Sequence, residues 1–145
     1  MSLYLVRPVV DASQGDMTEY VEGSDNRKLE TLHMVLEDWS GNDIVTTTPG
    51  FAVTRRLADS LSNSGLTGFE LKDMYLSISE NGTRAMREKN VEIPELVWLD
   101  IKGTFAQDDF FFEPGRARLI ISERALVFLQ EFDLTDARIE EFQVP

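Results

Sequence analysis

The sequence predicts an α+β protein, a single domain in which two related strand–helix–strand units surround a mixed or antiparallel sheet. The length of 145 residues is typical of one domain, and no linker-like stretch divides the chain, so the predicted domain spans residues 1–145. A hydrophobic content of 42% and an aromatic content of 10% are typical of a chain with a packed core. The third observation is an internal repeat, because residues 51–76 and 119–144 match without gaps.

The N-terminal region carries the weakest pattern. Residues 4–10 are predicted to form a strand, in which Pro8 marks an edge or a bend. The small and acidic residues of segment 11–25 are typical of a loop. Residues 27–38 fit either a helix, through the spacing of their leucines, or a strand, and the pattern does not decide between them.

The first repeat unit begins with an apolar run at 51–53, which predicts a buried strand end. Thr54 follows where a helix N-cap belongs, because its hydroxyl can accept a hydrogen bond from a free N–H of the first turn. Gly65 ends the predicted helix, and alternating apolar residues from Phe69 onward predict a half-buried strand.

Between the two units the sequence predicts two strands. Residues 79–90 are polar and fit a loop or a short helix. Pro94 leads into a predicted strand at 95–101. A shorter strand at 110–112 ends at the turn formed by Pro114 and Gly115.

The second unit repeats the first at positions 68 residues later, with Ser122 as the predicted helix cap. Identical or similar residues recur in both copies, namely Thr54 with Ser122, Arg56 with Arg124, Leu61 with Leu129, and Leu66-Thr67 with Leu134-Thr135. A chance likeness between two ordinary helix–strand segments is the alternative. The residues predicted to form the core are Leu57, Leu61, Leu71, Trp98, Ile101, Ile121, Leu126, Leu129 and Ile139.

The net charge of −12 is spread unevenly along the chain. Residues 1–50 carry a net charge of −6, residues 51–90 carry +1, and residues 91–145 carry −7. A field of this sign repels nucleic acid and anionic membranes, and it attracts basic proteins. The sequence therefore predicts a protein partner, and neither nucleic acid nor a membrane; solubility alone is the other explanation of the charge.

The chain has no cysteines and no apolar run of membrane-spanning length, and its first residues lack the features of a signal peptide. These observations predict a cytoplasmic protein. His33 is the single histidine, and no serine or cysteine stands in a recognisable nucleophile turn. No P-loop and no dinucleotide-binding glycine motif occurs. We expect no catalytic residues, no metal ligands and no cofactor, and a protein that is not an enzyme.

Asp108, Asp109 and Phe111 are the candidate partner-binding residues. On a strand, Phe111 points to the opposite face from its two phenylalanine neighbours, so both faces are buried only in a central strand or against a partner. Core packing and partner contact both remain open for it. An enzyme, the third-ranked hypothesis, would depend on Asp100, Asp108, Asp109 or Glu113, but adjacent strand residues rarely serve one ion.

Several short motifs follow one another in the later part of the chain: Gly65-Leu66-Thr67-Gly68-Phe69-Glu70, Pro94-Glu95-Leu96-Val97-Trp98-Leu99, Gly103, Asp108-Asp109-Phe110 and Ile120-Ile121-Ser122-Glu123-Arg124-Ala125-Leu126. In this order they resemble small bacterial proteins related to the immunity proteins of polymorphic toxin systems, in particular the family first noticed in myxobacteria. The resemblance extends over residues 50–142. It implies a protein that binds and neutralises a cognate toxin, and it brings no catalytic residues with it.

The leading hypothesis is therefore a non-enzymatic binding protein, an immunity-type inhibitor whose acidic surface attracts a basic toxin. The alternative is a homo-oligomeric structural or regulatory scaffold, in which the partner is a second copy of the chain.

Overall fold

A computed structural model of the chain describes residues 2–24, 28–47 and 49–144. In chain order its elements are β1 (Leu3–Arg7), β2 (Ala12–Gln14), β3 (Glu19–Tyr20), β4 (Leu29–Thr31), β5 (His33–Leu36), β6 (Ile44–Thr47), β7 (Gly50–Thr54), α1 (Arg55–Ser62), β8 (Phe69–Lys72), β9 (Tyr75–Ile78), α2 (Glu80–Lys89), β10 (Leu96–Ile101), β11 (Phe110–Phe112), β12 (Leu119–Ser122), α3 (Glu123–Leu129) and β13 (Arg138–Phe142).

Two four-stranded antiparallel sheets share one arrangement. The first sheet has the strand order β6–β7–β10–β8, and the second has the order β11–β12–β1–β13. In each sheet a hairpin leads into a helix, and the chain then returns as an edge strand. A strand from elsewhere in the sequence lies between the hairpin and this edge strand. We name β6, β7, α1, β8 and β10 unit 1, and β11, β12, α3, β13 and β1 unit 2. The predicted α+β class with two strand–helix–strand units is confirmed.

β1 occupies in unit 2 the place that β10 has in unit 1. Thr54, the N-cap of α1, lies opposite Leu96, and Ser122, the N-cap of α3, lies opposite Leu3. On its other side β1 pairs with β13, so that Leu3 also lies opposite Phe142. The two ends of the described chain therefore meet as neighbouring strands of the second sheet.

Both repeat helices begin where the sequence predicts. Thr54 Oγ1 accepts a hydrogen bond from the amide of Leu57 at 3.4 Å, and Ser122 Oγ accepts one from the amide of Ala125 at 3.1 Å. These bonds satisfy amides that have no partner within the first helical turn. The helices bury their apolar faces in one core shared by both units, to which they contribute Leu57, Ala58, Leu61, Ala125, Leu126 and Leu129.

The predicted core residues are buried, except for the two that lie on the edge strands β8 and β13. Seven of the nine are buried, namely Leu57, Leu61, Trp98, Ile101, Ile121, Leu126 and Leu129. Leu71 is only half-buried, and the prediction for Ile139 is wrong, because this side chain is 38% exposed. Leu71 lies on β8 and Ile139 on β13, each of which has a neighbouring strand on one side only among the described residues.

A third, mixed sheet, formed by two N-terminal strands and β9, packs on the first sheet. Its strand order is β2–β5–β9, and β5 is parallel to β9. Within the undecided segment 27–38, the described residues 28–38 contain strands β4 and β5, and residue 27 lies outside the described residues. The loop expected at 11–25 is corrected in part over residues 11–24, because β2 and β3 form there by pairing with β5 and β4; residue 25 lies outside the described residues. Segment 79–90 contains helix α2, which is capped by Ser79.

Candidate partner-binding site

Phe111 lies in the core of the protein. Its side chain is completely buried, on the opposite face of β11 from Phe110. Phe105, in the loop before β11, covers it with a ring-centroid distance of 5.2 Å, and Leu3 and Ile120 belong to the same apolar cluster. Of the two alternatives open for Phe111, the structure shows core packing, because this loop buries the second face of the strand; as a candidate partner-binding residue, Phe111 is corrected.

Asp109 is also inside the protein, with 7% of its surface exposed. Its Oδ1 accepts hydrogen bonds from Ser122 Oγ at 2.7 Å and Arg124 Nε at 3.2 Å, and its Oδ2 accepts from Arg124 Nη2 at 2.6 Å and the Thr67 amide at 2.9 Å. Burial acts to raise the pKa of Asp109, but the hydrogen bonds from Arg124, Ser122 and Thr67 outweigh it and lower this pKa to about 2. This carboxylate stabilises the fold and is not a surface contact, which corrects the second predicted site residue.

Asp108 is half-buried and closes the turn that carries Phe105. Its Oδ2 accepts a hydrogen bond from the Thr104 amide at 2.6 Å, and the amides of Gln107 and Asp108 donate to the Thr104 carbonyl at 3.0 and 3.2 Å. Of the three predicted partner-binding residues, Asp108 alone keeps part of its side chain accessible. The three residues are close in the sequence, but the structure does not place them on one exposed surface.

A second buried carboxylate, Asp43, has the same surroundings as Asp109. It is 4% exposed, and its Oδ1 accepts a hydrogen bond from Thr54 Oγ1 at 2.6 Å. Its Oδ2 accepts from Arg56 and from the amide of Asp133, the latter at 2.7 Å. Both carboxylates therefore bind three kinds of donor: the hydroxyl that caps a helix, the arginine two residues later, and a backbone amide from a distant loop.

The sequence comparison misses Asp43 because the two hairpins differ in length. Asp43 stands one residue before β6, as Asp109 stands one residue before β11. Four residues separate Thr46 from its pairing partner Phe51 in the first hairpin, whereas six separate the equivalent pair in the second. An ungapped alignment therefore loses the match upstream of the turn. Allowing a two-residue gap there aligns the two aspartates.

The two carboxylates also connect the units to each other. The Thr67 amide, after α1 of unit 1, donates to Asp109 of unit 2, and the Asp133 amide, after α3 of unit 2, donates to Asp43 of unit 1. The return bonds follow the same pattern, because the Asp109 amide donates to the Thr67 carbonyl at 3.1 Å and the Asp43 amide to the Asp133 carbonyl at 2.8 Å. We name this pair of contacts the carboxylate interlock.

Residues from the motifs behind the family resemblance meet at this interlock. Arg124 binds Asp109, and each belongs to a different motif. Gly68 and Gly103 approach the same backbone, since a Cβ on either would collide with the carbonyl oxygen of Phe110. At these positions the motif residues make contacts that hold the domain together.

Of the acidic residues weighed for catalysis, Asp100, Asp109 and Glu113 are held by basic side chains, whereas Asp108 binds a backbone amide. Asp100 Oδ2 accepts from Lys72 Nζ at 2.7 Å and lies 3.3 Å from Lys102 Nζ. Glu113 accepts two hydrogen bonds from Arg118, at 2.6 and 3.1 Å. Over residues 2–24, 28–47 and 49–144, no group of three or more His, Cys, Asp or Glu side chains is placed to hold a metal ion.

His33 lies on β5, and both of its ring nitrogens have partners. Nδ1 accepts a hydrogen bond from the Met17 amide at 3.1 Å, and Nε2 lies 2.8 Å from Ser77 Oγ. With its proton on Nε2 the ring satisfies both contacts. His33 thus ties a loop to the third sheet.

An apolar groove with a volume of about 310 Å³ lies on the surface between α3 and β13. We name it the α3–β13 groove, and it is lined by Leu126, Leu129, Gln130, Phe132, Leu134, Thr135 and Ile139. Ile139 is 38% exposed, and Val127 on the outer side of α3 is 62% exposed. Accessible apolar surface of this kind is typical of the centre of a protein interface.

Acidic residues adjoin this groove in the chain. The acidic rim consists of four exposed residues, Glu131, Asp133, Asp136 and Glu141. Glu141 shares the strand face of Ile139, because residues two apart on a strand point the same way. Two cations lie in the same region. The guanidinium of Arg56 is 4.8 Å from the ring centre of Phe132, and its charge is offset by Asp43. Arg138 precedes Ile139 and points to the other face of β13. The region of the α3–β13 groove therefore carries the four exposed acidic residues of the rim and two arginines.

None of the described helices combines the length and the apolar character needed to cross a membrane. Comparison with protein-family models, with curated proteins and with solved structures found no match to this chain.

Proposed function

We propose that the chain is a non-catalytic binding protein of the immunity type, which neutralises a basic bacterial toxin in the cytoplasm. The observation that carries this proposal is the α3–β13 groove with its acidic rim. An apolar centre surrounded by charge is the usual plan of a protein interface, in which a few buried contacts supply most of the affinity.

The charge of the chain supports a basic partner. A net charge of −12 attracts a cationic protein over a distance of about one Debye length, roughly 8 Å at physiological salt. Such long-range attraction acts mainly on the rate of association, whereas the apolar contacts govern how slowly the complex dissociates. Rim charges are therefore expected to change the association rate more than the dissociation rate.

The test is co-purification of the chain with the product of its adjacent gene, followed by association kinetics at low and high salt. The variant Glu131→Lys/Glu141→Lys reverses two rim charges without touching the carboxylate interlock. It should slow association about tenfold or more at low salt, and the difference should shrink as salt screens the charges.

The matched control is Glu88→Lys/Glu92→Lys, which changes the net charge by the same amount at exposed positions on α2 and in the loop after it. A smaller effect of the control assigns the binding surface to the α3–β13 groove. Equal effects of the two variants would contradict that surface. Failure of the chain to bind the product of its adjacent gene would contradict the immunity function itself.

A further inference from the structure

β13 is an outer strand of the second sheet and faces solvent. Residues Arg138 to Glu141 are all exposed, and within the described chain β1 is the one strand that pairs with β13. The outer side of such a strand presents backbone N–H and C=O groups that a further strand can bind.

The charges on this strand are arranged unfavourably in a single copy. Arg138 lies directly opposite Arg7 of β1, and like charges in that position repel. Arg7 forms its ion pair with Glu140 instead, at 3.0 Å. Arg138 has no ion-pair partner among the described residues. A carboxylate placed on the outer side of Arg138 would compensate its charge.

We propose that two copies of the chain pair through β13, antiparallel and centred on Ile139. In this register Ile139 lies opposite Ile139 of the partner subunit. Arg138 then lies opposite Glu140 of the partner subunit, and the same pair forms again across the two-fold axis. The strand supplies both halves of each contact, so a second copy is the occupant that fits its sequence of charges.

The pairing joins the two second sheets into one continuous sheet. Its two-fold axis is perpendicular to the sheet, because antiparallel neighbours on one sheet point their opposed side chains to the same face. Both α3–β13 grooves therefore open on the same side, next to each other across the paired strands. The self-association does not depend on the proposed toxin, since it is argued from the backbone edge of β13 and from the pairs of Arg138 with Glu140, although Ile139 at its centre also lines the groove.

Each copy carries a charge of −12, so long-range repulsion opposes the pairing and salt must screen it. The experiment is sedimentation velocity at about 0.15 M salt and at protein concentrations up to about 1 mM, the weak end of ordinary affinities. A concentration-dependent dimer is expected. A chain that stays monomeric over this range overturns the proposal.

Charge reversal tests the register. Arg138→Glu puts a carboxylate opposite Glu140 of the partner subunit at both symmetry-related contacts. It should raise the dimer dissociation constant about tenfold. The exchanged variant Arg138→Glu/Glu140→Arg restores the opposite charges, and its dissociation constant should return to within about threefold of the original value. A dimer that is insensitive to Arg138→Glu, or that the exchange does not restore, contradicts the β13 pairing.

Two controls keep this test decisive. Arg84→Glu makes the same charge change on an exposed residue of α2 and should leave dimerisation unaltered. Thermal melts of each variant establish that it folds, and Arg138→Glu is expected to fold because it removes the repulsion from Arg7. If Arg84→Glu weakens the dimer as much as Arg138→Glu does, net charge and not this strand governs association, and the proposal fails.

Discussion

Asp43 and Asp109 hold equivalent positions in the two units, and each accepts a hydrogen bond from a backbone amide of the other unit. Each aspartate also binds the cap hydroxyl and an arginine of the helix in its own unit. A single side chain thereby joins a helix start, a strand start and a distant loop. Because both carboxylates are buried, removing their charge leaves several donors without an acceptor inside the protein.

Replacing either carboxylate should destabilise the fold. Asp109→Asn keeps the size of the side chain but replaces one acceptor oxygen by an NH₂ donor. In the Oδ1 position this donor faces Ser122 and Arg124, and in the Oδ2 position it faces Arg124 and the Thr67 amide. We expect a loss of about 2–3 kcal/mol in the free energy of unfolding, measured by urea denaturation, and a similar loss for Asp43→Asn. The control Glu131→Gln, on the surface, should change stability by less than about 0.5 kcal/mol. An Asp109→Asn protein as stable as this control would contradict the role of the interlock.

Acid should remove the stabilisation that Asp109 provides. Its pKa is about 2 in the folded protein and close to 3.9 in an unfolded chain, so the unfolded state binds the proton first as the pH falls. The contribution is complete above about pH 5 and disappears as the pH falls through 2, and it amounts to about 2 kcal/mol. The stability difference between the original chain and Asp109→Asn should therefore shrink by this amount between pH 6 and pH 2. A constant difference across this range would show that the pKa of Asp109 is not lowered by folding.

Leu129 should behave as a core residue. It is 1% exposed at the end of α3, within the core shared by both units. Leu129→Ala leaves a cavity there and should cost about 2–5 kcal/mol of unfolding free energy. Val127→Ala, two residues earlier on the exposed side of the same helix, is the control and should stay within about 0.5 kcal/mol. A cost below about 0.5 kcal/mol for Leu129→Ala would place its side chain on the surface.

Gly82 should resist a substitution that usually stabilises helices. Alanine is preferred over glycine inside a helix by about 1 kcal/mol. In α2, however, a Cβ at Gly82 would collide with the backbone carbonyl of Leu36. We therefore expect Gly82→Ala to lower the melting temperature, with an overpacking cost of about 1–3 kcal/mol. Thr83→Ala, next in the helix and exposed, should leave the melting temperature unchanged or slightly higher. A stabilised Gly82→Ala protein would show that α2 does not pack closely on β5.

Local chemistry made parts of this fold predictable from the sequence. Thr54 and Ser122 cap their helices as expected, since a cap depends on residues within one turn. Segment 27–38 was undecided because its leucines fit a helical spacing while Leu32, Met34 and Leu36 also alternate as in a strand. The pairing of β5 with β2 and β9 decides in favour of the strand. The sequence does not reveal these partners, because β9 is distant in the chain and β2 lies in a segment with the composition of a loop.

The candidate site was less predictable, because burial there depends on segments that meet only after folding. Phe111 is covered by Phe105, from a loop whose path the sequence does not reveal. Ile139 is exposed on β13, which lies at the edge of its sheet beside β1 from the start of the chain, and its own sequence pattern does not reveal that position. The acidic composition of the last part of the chain did indicate where a charged surface would form, and the rim residues come from it.

The pairing of Leu3 with Phe142 brings the start and the end of the described chain to one corner of the second sheet. A fusion partner or tag attached before β1 or after β13 would therefore extend from that same corner of the domain. A linker of hairpin length, about 2–5 residues beyond the paired positions, is enough to connect the strands. The chain is thus suited to circular permutation, with new termini among the exposed residues 91–93 between α2 and β10. In such a permutant β1 would follow β13 directly, so unit 2 would be encoded by one uninterrupted stretch of sequence.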